Sequence, residues 1–190
     1  MTIATQITIF RILLIPVFVG FAIYYGQSVA AGTPDWTLRI AAIATFTIAA
    51  VSDAVDGYVA RHFNQKSRLG AILDPLADKL LLLSAILTLS FTDWGQKFPL
   101  WFPIIVIFRD IVAIAGAFVI DHLAGSCKIT THWTGKVATA LQMVAVLWIA
   151  IDIRIPSLLW PTALAALFTV ISGVINLTDG LRQIQHSDPA

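Results

Sequence analysis

The chain has 190 residues, 58% of them hydrophobic and only 12% charged, with a formal net charge of +1 and a mean hydropathy of +0.84. Such a composition excludes an ordinary water-soluble domain and a disordered chain, and the near-neutral balance gives nucleic acid no footing. The single cysteine, Cys127, excludes a framework of intramolecular disulfides.

At about 20 residues per crossing, six membrane spans and their loops use up the length. The expected fold class is therefore all-α: a polytopic integral membrane protein with six transmembrane helices, forming one domain over residues 1–190. The first apolar run extends from about Ile7 to Tyr25 and contains Arg11 and Pro16. Ser28-Val29-Ala30 has the look of a signal-peptide cleavage site, but there is no basic segment before the run and Arg11 lies within it, so the run is expected to be retained. Gly26 to Thr37 reads as a loop, with Gly32, Pro34 and Asp35 as breakers.

The second span is expected from Leu38 into Ala60 and the third from Gly70 to Phe91. Between them, Arg61 to Leu69 is too short and too polar to cross a bilayer, which makes the two helices antiparallel neighbours. Asp53 and Asp56 end the first of them and Asp74 and Asp78 begin the second. Spacings of i,i+3 and i,i+4 put each pair on one helix face. Taken singly, Asp74 before Pro75 is also compatible with a helix N-cap, and Asp53 and Asp56 with helix-end carboxylates facing water.

The fourth span covers Leu100 to Ile120 with Arg109 and Asp110 in its middle. Neighbours on a helix diverge by about 100°, so these two are not expected to be simply a mutual pair, and ionisable residues within a span mark function by default. A polar loop from Asp121 to Trp133 leads to a fifth span, Thr134 to Asp152, and a sixth, Ser157 to Asn176, followed by a polar tail. Counting Lys and Arg near span ends gives six on one side (Arg61, Lys66, Arg68, Lys128, Lys136, Arg182) and three on the other (Arg39, Lys97, Arg154). The richer side is cytoplasmic by the positive-inside rule, and the carboxylates lie on it. Trp36, Trp94, Trp101 and Trp160 fall toward the opposite interface, where an aromatic belt is expected.

Four carboxylates in one pocket repel each other, and the usual resolution is a divalent cation with oxygen ligands; this pocket has ligands for two. Gly57 removes a side chain near Asp53, and Arg61 adds a donor fork suited to phosphate. Metal-neutralised phosphate next to a carboxylate base points to transfer of a phosphorus-centred group to an alcohol at the membrane surface. Intramembrane Asp and Arg also mark cation pathways, but here the carboxylates cluster at one turn instead of lining a path.

Asp53, Asp56, Gly57, Ala60, Arg61, Gly70, Asp74 and Asp78 meet the pattern Asp-x2-Asp-Gly-x2-Ala-Arg-x8-Gly-x3-Asp-x3-Asp without departure. This resembles the signature of the CDP-alcohol phosphatidyltransferases. The resemblance implies a CDP-linked lipid donor, CDP-diacylglycerol, that passes its phosphatidyl group to an alcohol and releases CMP. It further implies two Mg²⁺ or Mn²⁺ ions held by Asp53, Asp56, Asp74 and Asp78, with Asp78 as general base. Asp56, Gly57, Ala60, Arg61 and Gly70 would contact or make room for the donor. Arg109, Lys136, Thr8 and Arg11 would contact the acceptor, with Arg182, His132 and Trp133 as further candidates. Glycerol-3-phosphate is the expected acceptor and phosphatidylglycerol the alternative. Arg109-Asp110 stands where members using glycerol-3-phosphate carry Arg-Glu, and Lys136-Val-Ala138-Thr139 where they carry Lys-x-Lys-Thr. A homodimer in the cytoplasmic (inner) membrane, multi-pass and with its site facing the cytoplasm, completes the expectation.

Overall fold

The apolar runs become six helices in a computed structural model that describes the backbone of residues 3–62, 68–124 and 133–186 and the side chains of residues 6–52, 73–116 and 133–180. They are α1 (Ile3–Ala30), α2 (Trp36–His62), α3 (Arg68–Phe91), α4 (Trp101–Ala124), α5 (Trp133–Ile151) and α6 (Leu159–His186), with no strand among the described residues. Among the described residues three stretches, Gln6–Ala30, Trp133–Ile151 and Leu159–Gly180, are long and apolar enough to cross a membrane, and Trp36–Ser52 is a shorter apolar stretch.

Helices α1, α2, α4 and α6 outrun their expected ends, α1 and α6 by the most. The first continues past Gly26 to Ala30 because nothing before Gly32 breaks it. Gly32 takes a left-handed φ of 77°, and the amides of Ala31, Gly32 and Thr33 return to the carbonyls of Gln27, Val29 and Ser28. Asp35 then caps α2, its carboxylate accepting the Thr37 amide at 2.9 Å. At the other end of the chain, α6 runs to His186 where a tail after Asn176 was expected; no proline interrupts 176–186. Pro75 lies inside α3, seven residues past its start, so Asp74 is not a helix N-cap.

The helices fall into two compact units, Met1–Lys97 with Val146–Asp152 and Phe98–Ala145 with Ile153–Ala190. In the first, α1 packs on both α2 and α3. Tyr25 meets Arg39, and Phe18 meets Phe46 with ring centroids 5.5 Å apart. Seven residues back along α1 is thus seven forward along α2, which makes the two antiparallel. Against α3 the offset is constant instead: Thr8 meets Asp74 and Arg11 meets Asp78, at separations of 66 and 67 residues. Gly26 meets Thr92 in the same register. The first and third helices therefore run parallel. Small residues allow the close approach, with Ala22, Ala42, Ala49, Ala77 and Ala85 all fully buried.

Arg39, counted above among the loop cations, is buried within this unit. Its guanidinium donates to the Ala150 and Ile149 carbonyls at the end of α5 (3.0 and 3.2 Å) and to the Tyr25 hydroxyl (2.9 Å). The rings of Tyr25, Trp36 and Trp94 stand around it at 5.2–5.6 Å. It donates to the Ala150 carbonyl and shares the Ile149 carbonyl with the Asp152 amide at the end of the helix, and the rings stabilise the cation. Trp94, expected in an interfacial belt, is also buried. Its indole donates to the Ala22 carbonyl at 3.1 Å and packs edge-on against Tyr25. Trp36, Trp101 and Trp160 are exposed.

In the second unit α4 packs on α6. The buried side chains of α6 are small or hydroxylic, Thr162, Ala165, Ala166, Thr169 and Ser172, while Leu164, Leu167, Val170 and Val174 are exposed. Gln142 of α5 donates to the Thr169 hydroxyl at 2.8 Å, and that hydroxyl donates in turn to the Ala165 carbonyl. Both units share this inversion. Thr8, Arg11, Arg39 and Gln142 are buried, whereas Leu13, Ile40, Phe108 and Ile114 are exposed. Water would reverse that pattern; hydrocarbon explains it.

Candidate active site

Asp74 and Asp78, one turn apart on α3, are half-buried carboxylates held by the first helix. The Thr8 hydroxyl donates to Asp74 Oδ1, and Arg11 Nη1 donates to Asp78 Oδ1 at 2.6 Å. Both donors are completely buried, while the Asp78 side chain is 42% exposed. The local reason is helical periodicity. Thr8 and Arg11 are three apart and share a face of α1, Asp74 and Asp78 are four apart and share a face of α3, and the parallel register matches the two faces. A buried guanidinium beside a part-exposed carboxylate forms a charge-assisted bond that keeps the carboxylate aimed within an apolar segment.

The other half of the expected cluster is on α2. Asp53, Asp56, Gly57, Ala60 and Arg61 lie in the last turns of that helix, and Gly70 in the first turn of α3, but their side chains are outside the described residues. Among the described residues no group of three or more metal-ligating side chains comes together. What is described fits a hard divalent cation in its chemistry, since both side chains offer carboxylate oxygens from one helix face.

In the second unit, Arg109 is held from two sides. Its Nη1 donates to Asp110 at 2.8 Å and its Nη2 to the Ser172 hydroxyl of α6 at 3.0 Å. Arg109 and Asp110 are a mutual pair after all. The α-carbons diverge as helix geometry requires, but the arginine stem is long enough to swing its guanidinium back to the neighbouring carboxylate. Two glycines shape the space. A Cβ at Gly135 would lie 3.2 Å from both Arg109 Nη2 and Ser172 Oγ, and one at Gly173 would lie 3.4 Å from Arg109 Cγ. Lys136 follows Gly135 in the first turn of α5 and is exposed. His132 and Arg182 lie outside the described side chains, and Trp133 is exposed.

Sequence reasoning placed Thr8 and Arg11 with the acceptor, and the structure adds that they donate to Asp74 and Asp78. The signal was present in two polar residues three apart in an otherwise apolar run. Ser172 and Gly135 were not singled out, although Thr162, Thr169 and Ser172 recur at helical spacing in the sixth apolar run and mark its inward face.

The fold and these polar contacts define a helical membrane protein with carboxylates and cations kept inside an apolar shell. The chain belongs to the CDP-alcohol phosphatidyltransferase family, which it matches over residues 1–180. It is 36% identical over 149 residues to a protein of Escherichia coli (strain K12) named CDP-diacylglycerol--glycerol-3-phosphate 3-phosphatidyltransferase, covering 77% of this chain and 75% of that one. Proteins of the same name from Shigella flexneri serotype 5b and Shigella sonnei give the same identity and coverage. Family membership makes the chain a phosphatidyltransferase, and the cation-transporter alternative falls. Members of the family generally depend on divalent metal ions.

Proposed function

We propose that this protein transfers the phosphatidyl group of CDP-diacylglycerol to glycerol-3-phosphate and releases CMP. The observation that carries the reading is the pairing of Asp74 and Asp78 with two buried donors of α1, which keeps two carboxylates aimed from inside an apolar segment. The α1–α2 register supports adding the other two. Tyr25 with Arg39 and Phe18 with Phe46 are one heptad apart, and one heptad further brings residue 53 level with Arg11. The relatives named above supply the donor and the acceptor.

Asp53, Asp56, Asp74 and Asp78 are assigned to two divalent ions, Mg²⁺ or Mn²⁺. When bound, these would neutralise the donor pyrophosphate and stabilise charge on the departing phosphate. Arg61 is assigned to the donor phosphates, and Gly57, Ala60 and Gly70 to the space that the cytidine and ribose need. An apolar groove of about 550 Å³ lined by Phe10, Ile48, Val51 and Ser52 suits a donor acyl chain, since Ser52 immediately precedes Asp53. Asp78 takes the proton of the acceptor hydroxyl. The hydroxyl oxygen then bonds to the phosphatidyl phosphorus as the bond to CMP breaks. Arg109 and Lys136 are assigned to the acceptor's own phosphate, with Asp110 and Ser172 holding the guanidinium meanwhile.

Burial of Arg39 strengthens the orientation argument. It leaves Lys97 and Arg154 alone against the six cations of the other side, so the site faces the cytoplasm of an inner-membrane, six-span protein. A homodimer is the expected assembly.

The test supplies the detergent-purified protein with CDP-diacylglycerol and Mg²⁺ or Mn²⁺ and measures CMP release. Release is expected with glycerol-3-phosphate and not with phosphatidylglycerol, and Asp78→Asn is expected to lower kcat by about 10²–10⁴. Release with phosphatidylglycerol alone would reassign the acceptor, and full activity in Asp78→Asn would remove that residue as the base.

A further inference from the structure

Arg11 and Thr8 share a face of one helix, each donates to a carboxylate of α3, and they differ in charge. Thr8 is neutral. It fixes one oxygen of Asp74 without changing the charge around it, as an outer donor does for a metal-ligating carboxylate. Arg11 is a permanent cation, completely buried, 2.6 Å from Asp78. Any divalent ion approaching Asp78 meets that charge, so Arg11 opposes binding while it aims the carboxylate. Neither residue comes from the segment that carries the carboxylates, and the parallel α1–α3 register delivers both at once.

We propose that α1 sets the cation affinity of the carboxylate pocket through these two positioning residues, with opposite signs. Thr8 raises affinity by orienting Asp74. Arg11 lowers it by acting as a built-in counter-charge to Asp78, which keeps the pocket from holding its ions too tightly for turnover. This rests on the assignment of Asp74 and Asp78 to divalent ions.

The experiment is a Mn²⁺ titration of the full chain in detergent, read by the electron paramagnetic resonance of unbound Mn²⁺, without donor or acceptor. Thr8→Val is expected to weaken Mn²⁺ binding about tenfold, and Thr8→Ser to restore it. Arg11→Gln is expected to tighten binding about tenfold while CMP release falls, and Arg11→Lys to bind as the unaltered chain does. A merely structural role would move both variants in the same direction. Weakened or unchanged binding in Arg11→Gln, or unchanged binding in Thr8→Val, overturns the proposal. Asp74→Asn separates the two levels of inference. If Asp74→Asn binds Mn²⁺ as the unaltered chain does, the metal assignment itself fails. If Asp74→Asn loses binding and the α1 variants do not differ from the unaltered chain, only the role of α1 fails.

Discussion

At Gly135 the missing side chain is what lets Arg109 and Ser172 meet. An alanine methyl there would lie 3.2 Å from the guanidinium and from the hydroxyl, closer than such contacts normally settle, whereas at Gly173 the nearest atom is 3.4 Å away, an ordinary contact. Gly135→Ala is therefore expected to push the guanidinium aside and raise the KM for glycerol-3-phosphate about tenfold with the KM for CDP-diacylglycerol unchanged, while Gly173→Ala stays close to the unaltered chain. Equal acceptor KM values for the two variants would take Arg109 out of acceptor binding. The same residue shows where reading a sequence stops at this scale. Helical spacing fixes the direction of a Cβ, and it located Asp74 and Asp78 on one face. It does not fix the end of a four-carbon stem, and so Arg109 was expected to diverge from Asp110 and instead reaches back to it.

Between elements, the α1–α3 contact is the most demanding in the first unit. Gly26 faces Thr92 so closely that an added Cβ would lie 2.8 Å from Thr92 Cβ and 3.1 Å from the Asp93 amide nitrogen. Backbone on one side cannot yield as a side chain can. Gly26→Ala is expected to cost about 1–3 kcal/mol of stability, measured as a lower midpoint of thermal unfolding in detergent, and Gly20→Ala, which meets nothing within 4 Å, to cost little. Helix existence and order were legible from apolar runs and breakers: Gly32 and Asp35 end α1 and begin α2 as their chemistry predicts. Helix pairing was not. Nothing in the first run announces that it lies parallel to the third, because a run longer than a turn from any breaker presents several faces, and only the partner selects one. The same limit explains Arg39 and Trp94. Both sit near loops in the sequence and were taken for interfacial residues, yet tertiary contacts with Tyr25 and the end of α5 draw them inward.

For the whole molecule, the inverted distribution of polarity is the property that composition foretold and side chains confirm. Large apolar residues face outward as well as inward, and buried hydroxyls, glutamine and arginine turn inward to polar groups of the protein. Stability then depends on small residues and polar pairs, not on burying more hydrocarbon.

One of those pairs has a history as well as a location. Arg11 and Asp78 are 67 residues apart, so during synthesis the arginine exists before its acid does. At roughly 5–20 residues per second the interval is roughly 3 to 13 s. An arginine at the centre of a span costs about 2.5–3.5 kcal/mol on insertion scales and less toward its ends, and Arg11 is the sixth residue of the span Gln6–Ala30. The contact with Asp78 becomes available only when the third helix arrives, and it then offsets part of the cost of carrying the arginine in an apolar run. Asp78→Leu is expected to lower the yield of inserted chain, and Arg11→Leu combined with Asp78→Leu to recover it, as read by quantifying membrane-extracted protein. Equal yields for the single and the double variant would mean that the partners settle independently. The pair that aims a carboxylate in the finished enzyme thus also ties the settling of its first helix in the membrane to that of its third.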